Sequence, residues 1–265
     1  MRHSREELSR AIEESFVDAL TKFYTMSPKA ILRDEGDMIL YSSGAPVASM
    51  NGVLAARLSS KSMARRTKYA LSFFKERRLP MTFFIGPSCR PPELGAHLKN
   101  LGLVPEMTSP GMAVDLDTVR REPLQAGLMI SPVEDVTSLG TCARIFAEVF
   151  GEGDSQAVAW RYDLALAYGI SSTRRWFLGL LNGKPVATGF LLLHKRVAGI
   201  YAVATIEEER GRGIGSAMTR EILLAAKDLG YDFAVLQSSK TGLHVYERLG
   251  FREYCKIEAY SWSPK

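Results

Sequence analysis

Apolar residues at Leu8, Ile12, Phe16, Ala19, Leu20 and Phe23 recur at helical spacing and predict one buried face over residues 5 to 24. Short apolar runs follow, AILR, DMILY and about ASMNGVL, cut by Gly or Pro turns, and these read as strands. A basic helix is predicted over about 62 to 78, then a strand at MTFFIG. PPELGAHLKNLG reads as a helix begun by Pro and stopped by Gly, and GMAVDL as a strand. The pattern then lapses into the polar, Pro-containing TVRREPLQAG. A linker over 119–127 therefore separates a first domain, 1–118, from a second, 128–265.

The second half repeats the plan. A strand at GLMISPV precedes helices at SLGTCARIFAEVFG and DSQAVAWRYDLALAYG. Three strands then lie within WFLGLLNGKPVATGFLLLHKRVAGIYAVATI, the first two joined by the hairpin signal NGKP. A helix over about 213 to 230, a strand at YDFAVLQSS, a helix at TGLHVYERLG and a strand at REYCKIEAYSW close the chain. RRLPMTFFIGPS with HLKNLGLVPE echoes DLGYDFAVLQSS with VYERLGFREY, a degenerate internal repeat.

Composition narrows the class without naming it. The 265 residues are 46% hydrophobic and 24% charged, enough apolar matter for a core in each half. A net charge of +5, from 34 basic and 29 acidic residues, suits an anionic ligand but is mild beside that of nucleic-acid binders, so no nucleic-acid partner is expected. Cys89, Cys142 and Cys255 are widely spaced and unaccompanied by clustered histidines, which argues against disulfides and against a metal site. No apolar run is long enough for a bilayer, so no membrane association is expected and a reducing cytoplasm is the default.

Candidate chemistry centres on EERGRGIGSAM, residues 208 to 218. Ile214, Met218, Ile222, Ala225 and Leu229 mark a helical face beginning at the glycines, and GIYAVATI upstream reads as a strand. A glycine-rich strand-to-helix turn leaves first-turn amides unpaired, and together with the helix dipole they form a phosphate site. Glycine also permits positive φ and close approach of ligand oxygens to the backbone. A Walker A loop would need Gly-Lys-Ser/Thr, yet Ser216 and Ala217 follow Gly215; a dinucleotide fingerprint from Gly213 would want Gly or Ala where Met218 stands.

Arg210-Gly211-Arg212-Gly213-Ile214-Gly215 resembles the Arg/Gln-x-x-Gly-x-Gly/Ala acyl-CoA loop of the GNAT superfamily of N-acyltransferases, with AVAT before it and VYERLGF after the next strand in the family's order. The resemblance covers about 128 to 265, with a weak echo in the first half. It implies a mixed α+β (α/β) fold of two tandem GNAT-like domains, each a largely antiparallel central sheet flanked by helices. It further implies that the backbone of Val203, Ala204 and Thr205 pairs with pantetheine, and that amides from Arg210 to Ser216 hold the pyrophosphate of acetyl-CoA. Tyr246 matches the tyrosine that protonates the departing thiolate, and a backbone N–H near Val203 or Ala204 would serve the oxyanion. The implied reaction is direct attack of a small-molecule or peptide primary amine on the thioester.

No base is assigned: Glu207, Glu208 and Glu209 sit just past the strand, where a charge run is usually solvated, and His194 and His244 qualify by residue type alone. The first half has lost the glycine cluster, and Leu98 stands where Tyr246 stands in the second. That domain is expected to shape the acceptor cleft or an oligomer interface, and a homodimer is compatible with it. The alternative reading is a non-catalytic acyl-CoA-binding regulatory module.

Overall fold

The computed structural model describes residues 3–264. Helix α1 (Arg5–Tyr24) leads into strands β1 (Ile31–Asp34), β2 (Ile39–Ser42) and β3 (Asn51–Leu54), helix α2 (Ser60–Glu76), strand β4 (Met81–Ile85), helix α3 (Leu94–Asn100) and strand β5 (Val104–Asp115). After an irregular stretch come β6 (Leu128–Pro132), α4 (Val136–Gly151), α5 (Ser155–Tyr168), β7 (Arg174–Leu181), β8 (Lys184–His194) and β9 (Val197–Thr205). The chain finishes with α6 (Ile214–Asp228), β10 (Phe233–Gln237), α7 (Leu243–Arg248) and β11 (Arg252–Trp262). The sequence pattern finds all of these elements; β5 begins earlier than its apolar run suggests, because Val104–Pro110 is a polar, twice Pro-bearing stretch that reads as a loop.

The chain divides into two compact units, though not at the linker that the polar stretch suggests. One unit is Arg5–Gly111 joined by the residues from Tyr254 onward; the other is Met112–Glu253 with His3 and Ser4. The stretch 119–127 is irregular, as expected, but lies inside the second of these. The last strand departs from chain order because β11 pairs antiparallel with β4, Trp262 opposite Met81 and Glu258 opposite Ile85. Sequence order assigns a strand to the preceding domain, whereas backbone hydrogen bonding assigns it to its pairing partner.

In the Arg5–Gly111 unit, β1, β2 and β3 form an antiparallel meander, and β4 runs parallel to β3 with Gly52 opposite Thr82. Its core gathers Leu40, Val53, Phe74, Phe83, Leu98 and Tyr260. A Cβ on Gly52 would lie 2.1 Å from the Thr82 carbonyl oxygen, a backbone atom that cannot swing away. Gly52→Ala is therefore expected to cost about 3 kcal/mol or more, read as a lowered midpoint in denaturant unfolding.

In the Met112–Glu253 unit, β6, β7, β8 and β9 are antiparallel in sequence, and β10 runs parallel to β9 with Ala234 opposite Ala198. The β7–β8 hairpin turns at Asn182 and Gly183, both at positive φ (50° and 79°), as the NGKP signal requires. Gly189 and Gly179 lie under Met218, and a Cβ on Gly189 would meet Ile222 at 2.5 Å, so α6 packs closely on β8 through missing side chains. Ile214, Met218 and Ile222 are fully buried, but Leu229, the C-cap, is exposed.

Two helix ends of the internal repeat correspond in backbone geometry. Arg78 and Gly230 both end their helices at positive φ (53° and 82°), with Leu79 N–H donating to Phe74 and Tyr231 N–H to Ala226. Gly102 and Gly250 do the same after α3 and α7 (87° and 91°), so Leu98 is the counterpart of Tyr246 and Lys75 that of Lys227.

Candidate functional site

Strand β9 is regular against β8 until its end, where the register shifts by one residue between Thr188 and Phe190. Ala202 takes up the extra residue as a bulge with φ +49°, a left-handed conformation that costs an alanine about 1 kcal/mol. Nothing in the sequence signals it, because alanine carries no preference for that region. Beyond the bulge, Ala204 and Thr205 stay paired with Thr188 and Ala187, while the pairing with β10 stops at Gly199. The opposite edge of Val203, Ala204 and Thr205 therefore has no ladder partner among the described residues. An extended ligand can add to such an edge as a strand would.

The edge runs directly into the glycine loop. After a short 3-10 turn, Glu207–Glu209, Gly211 and Gly213 both adopt left-handed φ (76° and 77°). A Cβ at either glycine would find no atom within 4 Å, and one at Gly215 would find only the Thr205 hydroxyl at 3.8 Å. The loop thus presents bare backbone to open space. Gly213 caps α6 without any side-chain hydrogen bond, so the first amides of the helix have no cap partner. Ile214 alone of this stretch is buried, anchoring the turn in the core, whereas Gly215 and Ser216 are half-buried. Arg210 donates through Nε to the Thr205 carbonyl at 3.2 Å, and Arg212 is paired with Glu209. Both cations flank the loop, held by its own backbone and acid.

Tyr246 lies on α7, its ring edge-on to Phe251 at 5.7 Å and close over Gly242. Burial pushes its phenol up to about 12, so the hydroxyl keeps its proton at neutral pH. Among the candidate bases, Glu207 and Glu208 are exposed, Glu209 is engaged by Arg212, exposed His244 shares a hydrogen bond with Glu247 at 3.1 Å, and His194 is half-buried at the end of β8.

The Arg5–Gly111 unit closes both features at the equivalent places. Beyond β3 and β4 the strands stay linked by a parallel bridge between Arg57 and Arg90, with Arg90 N–H donating to Ala56 and Leu58 N–H to Arg90. Buried Glu13 pins that segment, accepting from the Ser88 N–H at 2.9 Å and hydroxyl at 3.0 Å, and burial raises its carboxyl above the usual range. Helix α2 carries a capping box between Ser59 and Ser62 in place of open amides. Glu13 is invisible to sequence reasoning, which places charged residues at the surface.

Residues 141–251 match the model of the acetyltransferase (GNAT) family, a span that contains the bulged strand, the glycine loop and Tyr246. The chain carries a GNAT domain. Among solved structures, a GCN5-related N-acetyltransferase from Kribbella flavida superposes with a TM-score of 0.74 at 15% identity, over 96% of each chain. Another from Sphaerobacter thermophilus reaches 0.61 at 16% identity, over 86% of this chain and 80% of that one. A tandem GNAT protein from the clavulanic acid biosynthesis pathway reaches 0.60 at 14% identity, over 90% and 85%. At such identities the likeness is one of fold, and the fold is the tandem GNAT one. No curated protein matches the sequence. Cys89, Cys142 and Cys255 are unbridged, and burial pushes the first two thiols up to about 11, into an inert range. Among the described residues no helix is long and apolar enough to cross a membrane.

Proposed function

We propose that the GNAT domain transfers the acetyl group of acetyl-CoA to a primary amine by direct attack on the thioester. The observation that carries this reading is the continuity of the open β9 edge, beginning at the Ala202 bulge, with the uncapped glycine loop at α6. Acetyl-CoA has the matching sequence of groups: a thioester, an amide-bearing pantetheine arm, then a pyrophosphate. The backbone of Val203, Ala204 and Thr205 would pair with the arm, and the amides from Gly211 to Ser216 would take the pyrophosphate, with Arg210 and Arg212 adding positive charge. An N–H freed by the bulge would stabilise the oxyanion.

In the reaction the amine nitrogen forms a bond to the carbonyl carbon, the carbon–sulfur bond breaks, and its electron pair leaves on sulfur. Tyr246 would give its proton to that thiolate and regain one from solvent, and its burial keeps the hydroxyl protonated near neutral pH. The attacking amine, with a free pKa near ~10.4, sheds its protons to water. At saturating acetyl-CoA, on the order of 100 times Kd, ligation contributes about 2.7 kcal/mol, a rise of roughly 5–10 °C in Tm. Such a rise, joined by amine-dependent release of free thiol across a library of amines, is the expected result. A protein that stays folded and shows no rise would overturn the reading, and a rise without thiol release from any amine would favour a regulatory acyl-CoA-binding module.

A further inference from the structure

In the Met112–Glu253 unit, the face of the sheet opposite α6 carries a row of aromatic side chains. Gly189 lies under Met218 and Ile222 of α6, so its neighbour Phe190 points to the other face. Across the ladder Phe190 stands opposite Trp176 on one side and Tyr201 on the other, and residues directly opposite share a face. The helices extend the row. Trp176 lies 4.8 Å from Phe190 and 5.9 Å from Phe146 of α4, and Phe146 lies 5.2 Å from Phe150, between ring centroids. Tyr168 of α5 closes on Phe190 at 5.5 Å.

The row is sealed in its middle and open at its ends. Trp176, Tyr168 and Phe190 are buried, Phe146 and Tyr201 are half-buried, and Phe150 is 40% exposed near the end of α4. Tyr201 immediately precedes the Ala202 bulge, so one end stops where the thioester is proposed to lie. The middle is poor in polar partners: the buried Trp176 Nε1 meets no hydrogen-bond acceptor among the described residues. The charge that touches the row is positive, the Arg174 guanidinium lying 4.9 Å from the Tyr168 ring centroid. The carboxylates of α4, α5 and their turn are spent or turned to solvent. Asp135 and Asp154 cap their helices, Glu148 lies 3.8 Å from Arg144, and Glu152 and Asp163 are exposed.

We propose, resting on the reading of this domain as an N-acetyltransferase, that its acceptor is a monoamine carrying an aromatic group. The amine nitrogen meets the thioester beside Tyr201, and the aryl group packs along the accessible rings of Tyr201, Phe146 and Phe150. Offset and edge-on ring contacts, with burial of apolar surface, hold such a group. A polyamine or a polyhydroxylated amine finds no carboxylate in this row. Its further charges and hydroxyls would lose water without gaining partners, and Arg174 repels a second cation.

The test uses the full chain, acetyl-CoA and two amines, 2-phenylethylamine and spermidine. From thiol release, kcat/KM is expected to be about tenfold or more higher for 2-phenylethylamine. Phe150→Ala and Tyr201→Leu should each erase most of that preference with acetyl-CoA affinity unchanged, whereas Phe150→Tyr, which keeps the ring, should retain it. A second readout does not depend on turnover: 2-phenylethylamine titrated calorimetrically into the CoA-saturated protein should bind saturably, about fivefold more weakly after Phe150→Ala. Spermidine used as well as 2-phenylethylamine, or a preference that both variants leave intact, would overturn the proposal and leave the acetyltransferase reading standing. Binding of 2-phenylethylamine that Phe150→Ala weakens, without thiol release from any amine, would keep the aromatic site and overturn that reading instead. Neither binding nor release with 2-phenylethylamine would overturn the proposal.

Discussion

Gly213→Glu is expected to abolish the rise in Tm that acetyl-CoA produces in the unaltered protein. The position is the N-cap of α6, left-handed at φ +77°, with no atom within 4 Å of its Cβ direction. A glutamate there adds backbone strain of about 1–2 kcal/mol but no steric clash, so the folded state should survive with a modestly lower Tm. Its carboxylate, however, would stand beside the open amides at the positive end of the helix, where the pyrophosphate is proposed to sit. An internal anion satisfying those amides, and repelling a second anion, should weaken acetyl-CoA by on the order of 100-fold, which is about 2.7 kcal/mol. Calorimetric titration separates the outcomes, since Gly213→Ala imposes similar strain without the charge and should retain most of the affinity. If the glutamate variant binds acetyl-CoA as tightly as the alanine variant, the pyrophosphate lies elsewhere.

Tyr246→Phe is expected to lower kcat about 100-fold while leaving acetyl-CoA affinity nearly unchanged, the size of effect usual for loss of one general acid. The ring's packing against Phe251 and over Gly242 is kept by phenylalanine, so stability should barely move. The pH profile carries independent information. With its phenol pushed up to about 12, Tyr246 stays protonated throughout the range in which a substrate amine loses its proton. The rate should therefore climb with pH as free amine accumulates and show no falling limb from this tyrosine below about pH 10. A fall in rate centred between pH 8 and 10 that disappears in the phenylalanine variant would contradict the assigned burial. An unchanged kcat would remove Tyr246 from the chemistry.

Much of the site is legible because its chemistry is written in residue types. Gly211, Gly213 and Gly215 are needed where backbone must be bare or left-handed, and the amphipathic run from Ile214 locates the helix they begin. The bulge at Ala202 is not legible, since it arises from a register mismatch between β8 and β9 and alanine gives it no mark. Glu13 is missed for a related reason: its burial depends on Ser88, 75 residues away, and no local pattern couples the two.

The sequence by itself determined the elements, the repeat and the glycine loop, because periodicity, turn chemistry and backbone permissiveness are properties of neighbouring residues. The tertiary structure alone decided which unit receives the last strand, and that the split beside β9 stays open while the one beside β3 is bridged. Those outcomes depend on backbone hydrogen bonds and packing between residues far apart in the chain, Trp262 with Met81 and Arg57 with Arg90 among them, and hydrophobic patterning carries no record of such pairings.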